Sequence, residues 1–407
     1  MSEFVDMEEW KEYKLGEVTS ILGDGIHGTP KYDDEGSIFF INGNNLENGH
    51  IVIKDNTKRV SYEESLKHRK PLSERTILVS INGTIGNVAK YNGEPCILGK
   101  SACFFNVNES VDLNFIYYVV ANNNFKNTIT RLATGTTIKN VSLKTMREYS
   151  FMMPSLPTQQ KIANILSSLD DKIKVNRRIN EQLEELAQAL FKSWFVDFEP
   201  FKDGEFVESE LGMIPEGWKV TKLDEVCSYI SRGLTPKYDN DSDEIILGQT
   251  CVRNNIVTLN NGRKHRPKKK NEKWIKQWDV LINSTGVGSL GRVGIVYFDK
   301  DNVAIDSHIT VVRPISSLYK HYIGRTLLNK QAEIENMAIG STGQTELPKD
   351  SVKSMLILLP IDDILVLFNK SIEPICKLMY SNLEEITQLS NLRDTLLPKL
   401  MSGEIKM

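Results

Sequence analysis

Thr29-Pro30-Lys31-Tyr32-Asp33 is met a second time as Thr235-Pro236-Lys237-Tyr238-Asp239, about 206 positions further along the chain. Outward from this pentapeptide the same shift joins other fragments. Trp10-Lys11 with Leu15 and Val18 returns as Trp218-Lys219 with Leu223 and Val226. Gly83, Gly86 and Val88 return as Gly288, Gly291 and Val293, and Met152-Met153-Pro154 returns as Leu358-Leu359-Pro360. A near-constant shift of this length marks one duplicated unit and not a solenoid, whose repeats run about 20–50 residues.

Each copy has two parts. The first, of roughly 150 residues, mixes short β-rich runs with Gly/Asn turns and helical stretches, which reads as an α+β globule. Its strand candidates are Ile38–Ile41 and Thr76–Ile81, then Ile245–Leu247, Val280–Asn283 and Val293–Phe298. The second part is a long helix. The first such helix spans about Thr158 to Phe195, after Pro154 and Pro157, which discourage helix before it. Steps of three and four residues select Ile162, Leu166, Leu169, Ile173, Asn176, Asn180, Leu183, Ala187, Leu190 and Trp194. The second copy supplies Phe368, Ile372, Ile375, Met379, Asn382, Ile386, Leu389, Arg393, Leu396 and Leu400. Both are heptad seams of the coiled-coil type. Asn176 falls at the position of Asn382, and a buried Asn weakens a seam while fixing its register. Pro374 is expected to kink or restart the second helix.

The two seams are most simply buried against each other, and duplication about a pseudo-two-fold axis makes the helices antiparallel. The expected fold is α+β: two similar globules separated by two long antiparallel coiled-coil helices, an internal pseudo-two-fold duplication. The expected divisions are a globule (1–155), a helix (156–197), an acidic linker (198–215), a second globule (216–358) and a second helix (359–407).

Composition narrows the function. The chain is 40% hydrophobic and 25% charged, as soluble globular proteins are. No apolar run approaches the ~20 residues of a membrane helix. Met1 to Trp10 is acidic and lacks the basic-then-apolar pattern of a secretory signal, so a cytoplasmic protein with no membrane partner is expected. The five cysteines (Cys96, Cys103, Cys227, Cys251, Cys376) are scattered without a CxxC pair, and the six histidines are dispersed. That pattern gives neither a disulfide framework nor an ordinary metal spacing. The net charge of −3 hides segregation. Arg263, Lys264, Arg266, Lys268, Lys269, Lys270 and Lys273 face one Glu272, a run suited to a polyanion. Asp197, Glu199, Asp203, Glu205, Glu208, Glu210 and Glu216 face one Lys202, a run that would repel it.

Enzyme-like motifs fail on context. Gly286-Val287-Gly288-Ser289-Leu290-Gly291 matches GxGxxG, but the following Arg292–Tyr297 reads as a strand where a dinucleotide site needs a helix. Gly99-Lys100-Ser101 resembles the end of a P-loop, yet Glu94 stands where the first glycine must be and Pro95 breaks the phosphate cradle. The (Asn/Asp)-Pro-Pro-aromatic loop of amino-methyltransferases is absent, and no acid–base pair stands out. The repeated loops instead carry groups that hydrogen-bond base edges or phosphates. These are Thr29, Lys31, Tyr32, Asn42, Asn44, Asn45 and Thr84 in the first copy. The second offers Thr235, Lys237, Tyr238, Gln249, Thr250 and Arg253, with Lys264, Arg266, Lys268, Lys269 and Lys270 in the basic run. Asn and Gln grip adenine, Arg and Lys favour guanine, and Thr serves either.

Three long strings then bring in a resemblance. Phe191-Lys192-Ser193-Trp194-Phe195-Val196-Asp197-Phe198-Glu199-Pro200-Phe201 resembles the end of the central conserved region of type I restriction–modification specificity subunits. Leu211-Gly212-Met213-Ile214-Pro215-Glu216-Gly217-Trp218 resembles the entry to their second target-recognition domain. Leu392-Arg393-Asp394-Thr395-Leu396-Leu397-Pro398-Lys399-Leu400-Met401-Ser402-Gly403-Glu404-Ile405 is similar to their C-terminal signature. The resemblance implies that the globules are target-recognition domains, each reading half of a split, asymmetric DNA target, with the helices setting the gap. It implies double-stranded DNA, two methyltransferase (modification) subunits and restriction (endonuclease/translocase) subunits as partners. It implies no cofactor in this chain, with S-adenosylmethionine, ATP and Mg²⁺ in those partners. The chain is then a non-catalytic specificity subunit. The alternative is the specificity half of a split nuclease–methyltransferase with its own hidden catalytic site. Phe191, Trp194, Phe195, Phe198 and Phe201 crowd the end of the first helix; a two-helix seam cannot bury them all, so most pack on a globule.

Consecutive like charges are poor base readers but good counterion displacers. Replacing Lys268, Lys269 and Lys270 by Ala should weaken DNA binding similarly on all sequences and flatten the log–log salt slope by about 0.9 for each phosphate no longer neutralised. A salt titration on two unrelated duplexes checks this; a changed target preference at an unchanged slope would contradict it.

Overall fold

In each copy the hydrophobic alternation builds a sheet whose central strand is buried on both faces. The computed structural model describes residues 10–135, 138–267, 273–340 and 345–407. The chain forms two compact units, one of residues up to Lys174 with Ile386–Met407, the other Val175–Glu385.

In the first unit the main sheet is antiparallel, in the order Thr19–Asp24, Ala102–Val107, Thr76–Ser80, Val88–Lys90. Alternate side chains of its two inner strands leave on opposite faces, as strand geometry requires. Ile77, Val79, Cys103 and Phe105 pack against Phe115, Ile116 and Val119 of the helix Leu113–Ala121 and against Phe125 and Ile129 of Asn123–Leu132. Leu78, Ala102 and Phe104 pack the other way, on Ile41, Leu46, Ile51 and Leu98. Those residues belong to, or follow, a smaller sheet ordered Arg59–Val60, Ile38–Ile41, Cys96–Leu98, antiparallel on one side and parallel on the other. Each fully buried Leu, Ile or Phe contributes about 1.5–3 kcal/mol, so this two-sided core fixes where the small sheet lies.

The second unit repeats the scheme. Cys227–Arg232, Ile309–Pro314, Val280–Asn283 and Val293–Ile295 take the same order, extended by Asn255–Val257 and Val252–Arg253. Val280, Ile282 and Val312 face Tyr322, Ile323 and Leu327 of the helix Lys320–Asn329. Leu281 and Val311 face Leu247 and Ile305. The small sheet runs Arg263–Lys264, Ile245–Leu247, Val303–Ile305, again antiparallel then parallel. An entry strand pairs with an exit strand in both copies: Lys11–Lys14 with Ser150–Met153, and Lys219–Lys222 with Leu356–Leu359. That pairing explains why the Trp-Lys and Met-Met-Pro or Leu-Leu-Pro fragments recur together.

The long helices are Leu156–Phe195 and Asp362–Met401. The first admits Pro157 in its opening turn, where the missing N–H costs nothing. None of the twenty seam positions read from the sequence is exposed. The second helix does not restart at Pro374: it is unbroken from Asp362 to Met401. Pro374 and Lys370, whose carbonyl it deprives of a helical donor, sit on the exposed side open to solvent, while Ile372 and Cys376 remain buried. In the second unit the helices run antiparallel, since contacts descend one helix as they climb the other. Asn176 Nδ2 donates to Glu385 Oε2 (2.7 Å), Asn382 Nδ2 to Asn180 Oδ1 (2.9 Å) and Asn180 Nδ2 to the Met379 carbonyl (3.1 Å), and Phe195 meets Phe368 at 4.8 Å between ring centroids. Asn176 and Asn382 are both buried, yet each bonds another side chain and not its repeat counterpart. In the first unit the matching polar group is Asp170, which accepts from Tyr118 OH (2.7 Å) and Arg393 Nη1 (2.7 Å).

The acidic segment 198–215 forms a short helical turn, Glu199–Phe201, and a hairpin of Phe206–Ser209 with Gly212–Pro215. Phe191 and Phe195 are buried in the second unit's core, and Trp194, Phe198 and Phe201 pack on it around Trp218 and Phe368. The crowded aromatics therefore serve a globule, as expected. No helix among the described residues is long and apolar enough to cross a membrane.

Asn382→Leu alone should lower stability by about 1–3 kcal/mol, because Asn180 Oδ1 loses its buried donor. Asn180→Leu/Asn382→Leu should recover that loss, since no orphan remains. Apparent unfolding midpoints of the two variants provide the comparison.

Candidate nucleic-acid interface

The edge strand of each small sheet faces outward beside the repeated pentapeptide. In the first copy Gly25 lets the chain leave the main sheet: a Cβ there would lie 2.1 Å from the Leu98 carbonyl. Gly233 does the same against Ile305, also at 2.1 Å. The chain then pairs with the turn after the parallel strand, Ile26 with Gly99 and Leu234 with Asp306. Pro30 is buried while Thr29, Lys31 and Tyr32 are exposed; Thr235, Lys237 and Tyr238 stand outward likewise.

The tyrosine of each pentapeptide bridges to the edge of the small sheet, Tyr32 to Val60 and Tyr238 to His265. The main chain repeats one residue on, where Asp33 N–H donates to the Arg59 carbonyl (2.9 Å) and Asp239 N–H to that of Lys264 (3.2 Å). This register makes Lys58 the counterpart of Arg263 and Arg59 that of Lys264. Both tyrosine rings carry the expected cation at those places: Lys58 Nζ lies 5.9 Å from the Tyr32 centroid, and the Arg263 guanidinium 4.6 Å from that of Tyr238. Arg59 covers Phe39 at 4.9 Å. Such contacts are worth about 0.5–1 kcal/mol at exposed sites and hold a cation in place without consuming its charge. Tyr32 and Tyr238 are 40% and 53% exposed, so ring and cation together face solvent.

The lysine between Pro and Tyr is held by its main chain. Lys31 N–H donates to Glu64 Oε1 (3.1 Å) and Lys237 N–H to His265 Nδ1 (2.9 Å). The hydrogen bond from Lys67, with that of the Lys31 N–H, brings the Glu64 carboxyl down to about 2. Arg266 pairs with Asp239 at 2.5 Å and keeps an exposed side chain; Lys264 is exposed on the edge strand.

The turns after the central strands, Gly43–Asn45 and Gln249–Cys251, separate the remaining sequence candidates. Asn44, Thr250 and Arg253 are exposed. Asn42 Oδ1 accepts from Ser101 Oγ (2.9 Å), which leaves its amide nitrogen for other use. Asn45 is a correction. It is 4% exposed, its Oδ1 takes the Asn42 N–H (3.0 Å), and its Nδ2 donates to the Val52 carbonyl and Thr57 Oγ1 (both 3.0 Å). It builds the turn and offers no face to a base. Gln249 Nε2 is likewise turned inward, onto the Thr285 carbonyl and hydroxyl. Thr84 is exposed on the turn between Thr76–Ser80 and Val88–Lys90. The corresponding turn of the second copy is the GxGxxG stretch, with Gly286, Gly288 and Gly291 at positive φ and the strand Val293–Ile295 after it, as read from the sequence. Lys268, Lys269 and Lys270 lie outside the described residues.

The structure adds Lys58, Arg59, Glu64 and His265, which the sequence does not single out. The signal for the first two is the basic pair Lys58-Arg59 standing about 205 positions before Arg263-Lys264, within the repeat shift. The described residues contain no group of three or more His, Cys, Asp or Glu placed to hold a metal. Cations, amides and hydroxyls on an exposed edge suit phosphate and base-edge contacts.

Comparison with known proteins bears on the family. The family profile described as type I restriction modification DNA specificity domain matches residues 7–185 and again 215–387. The MjaIX type I restriction enzyme specificity subunit of Methanocaldococcus jannaschii is 27% identical, covering 98% of this chain and 94% of its own. The HindI specificity subunit of Haemophilus influenzae is 24% identical over 98% of this chain and all (100%) of its own. A crystal structure of a type I restriction–modification S subunit from M. genitalium shares the fold, with a TM-score of 0.59 at 18% identity over 98% of each chain.

Asn45→Ala should lower stability by about 1–3 kcal/mol by orphaning buried donors and acceptors, whereas Asn44→Ala should stay within roughly 0.5 kcal/mol. Thermal unfolding of the two variants distinguishes the turn-builder from the exposed residue.

Proposed function

The chain belongs to the type I restriction–modification DNA specificity family, and we propose that each of its two globules reads one half of a bipartite, asymmetric target in double-stranded DNA. It contributes specificity and not catalysis. Methyltransferase subunits, two in number, and restriction subunits dock on it, and S-adenosylmethionine, ATP and Mg²⁺ belong to them. The observation that carries the reading is the same exposed tyrosine, capped by a cation and fixed to the sheet edge, at corresponding places in both copies. Thr29, Lys31, Tyr32, Asn42, Asn44 and Thr84 contact DNA in one copy. Thr235, Lys237, Tyr238, Thr250, Arg253, Arg263, Lys264 and Arg266 do so in the other, with Lys268, Lys269 and Lys270 on phosphates.

Asymmetry follows from the side chains. Asn42 corresponds to Gly248 and Asn44 to Thr250, so the two readers present different donors and acceptors on one frame.

Sequencing of modified bases in the host genome supplies the target. Tyr32→Ala should then weaken binding about 5- to 150-fold, the range of a single mismatched base pair, on duplexes with an intact first half-site and have little effect once that half is scrambled. Tyr238→Ala should do the same for the other half. A palindromic target, or equal losses on specific and scrambled duplexes, would overturn the reading.

A further inference from the structure

We propose that Glu64 and His265 are positioning residues that set the aim of the two reading loops, one in each copy; this rests on the function proposed above. The two loops share the sequence Thr-Pro-Lys-Tyr-Asp, and in both the proline leaves no main-chain donor, so the lysine N–H is the first available after it. That N–H meets a side chain and not the sheet: Glu64 Oε1 in one copy and, in the other, His265 Nδ1, which also lies 3.1 Å from the Lys237 carbonyl and accepts the N–H in the tautomer protonated at Nε2. The two acceptors do not correspond in the repeat. Glu64 lies on the short helix Tyr62–Leu66, after the edge strand, while His265 stands where the first copy has Val60. The same capture is therefore made twice by different chemistry from different places.

The loops carry their side chains outward at Thr29, Lys31 and Tyr32 and at Thr235, Lys237 and Tyr238. What the bond fixes is direction. The lysine N–H points inward, which turns its side chain and the tyrosine after it outward, beside Lys58 in one copy and Arg263 in the other. His265 is well placed for this. It is 2% exposed, its N–H is held by the Glu244 carbonyl (2.8 Å), and its own carbonyl accepts from Ser242 Oγ (2.5 Å). Glu64 is anchored by Lys67 (2.6 Å) and lies 3.3 Å from His68 Nε2. Neither residue needs to touch DNA.

The test selects preferred sequences from a randomised duplex library with the full chain. His265→Leu keeps bulk but removes the acceptor, and His265→Asn restores an acceptor oxygen near the Nδ1 position. Glu64→Leu and Glu64→Gln form the matching pair in the first copy, where the side chain is 13% exposed. The leucine variants should lose discrimination, about fivefold or more per base, in one half of the selected motif only. That half should differ between Glu64 and His265, and Asn and Gln should restore it. The loop variants Lys237→Ala and Tyr238→Ala provide the reference. If they degrade one half while His265→Leu and Glu64→Leu select the unaltered motif, the positioning role is wrong and the reading by the loops stands. If the loop variants also leave the motif unaltered, the reading itself fails. Loss in both halves together, or failure of Asn and Gln to restore, would mean a merely structural role. Should His265→Leu not fold by circular dichroism, the Glu64 pair decides the outcome.

Discussion

Burial of the central sheet strand on both faces is the constraint from which the rest of each unit follows. Thr76–Ser80 and Val280–Asn283 are buried at every position, so each needs a cover on either side. A strand of this kind cannot sit at a surface, because about 1.5–3 kcal/mol per large apolar side chain would be forfeited. Helices supply one cover and the small three-stranded sheet the other. Of the small sheet's two edges, the pentapeptide loop is laid along the Arg59–Val60 edge in one copy and the Arg263–Lys264 edge in the other. The candidate interface therefore sits opposite the helical layer because the core demands two covers.

The long helices obey a second constraint. Apart from Arg393, their seams are apolar except for a short polar stretch, Asn176, Asn180 and Asn382 with Glu385, whose side chains find partners at 2.7–3.1 Å. A register slip would strand buried amides, at about 1–3 kcal/mol each, whereas leucines slide at little cost. The polar stretch thus adds little stability and much definition. Arg325 serves the second unit in a related way. It is 2% exposed and bonded to Glu184 (2.6 Å) and to Tyr297 OH (2.7 Å), tying the helix Lys320–Asn329 to the first long helix. Removing one partner of such a pair leaves an unpaired buried charge, so truncating either side chain is strongly destabilising.

Much of this is legible in the sequence, for identifiable reasons. Ile38–Ile41, Ile245–Leu247 and Val280–Asn283 form strands with the bounds that alternation and flanking turn residues indicate. The run Val293–Phe298 is longer than the strand it contains, which stops at Ile295 because the Val296 carbonyl turns to Trp278 N–H (2.7 Å). The helix seams are legible because heptad spacing is local. The effect of Pro374 is not, because its cost depends on which side of the helix faces solvent. At the interface, duplication singles out the pentapeptide but not what holds it. Glu64 and His265 reach the loops through a neighbouring helix and strand pairing, and nothing in their local sequence announces that, whereas Lys58 is signalled only by the repeat shift. Asn45 shows the opposite failure. An Asn after a strand suits a base contact and a turn equally well, and only burial distinguishes them.

Comparing the copies shows where two different readers could diverge without endangering the fold. Asn45 and its counterpart Cys251 are both buried, and the turns they close correspond in sequence although one is polar and the other is not. The inward position tolerates a change only when its bonding is settled inside the unit, as the amide of Asn45 is. Outward positions carry no such condition. Asn44 against Thr250 and Lys58 against Arg263 differ in hydrogen-bonding groups, yet exposed exchanges of this kind cost within about 0.5 kcal/mol. Lys58 and Arg263 also differ in what they can grip, since a guanidinium presents a planar fork and an ammonium a point charge. A frame with a doubly covered core and an exposed edge strand therefore separates the residues that decide stability from those that meet the ligand. The two halves of such a chain are free to acquire unlike preferences while each keeps the same sheet.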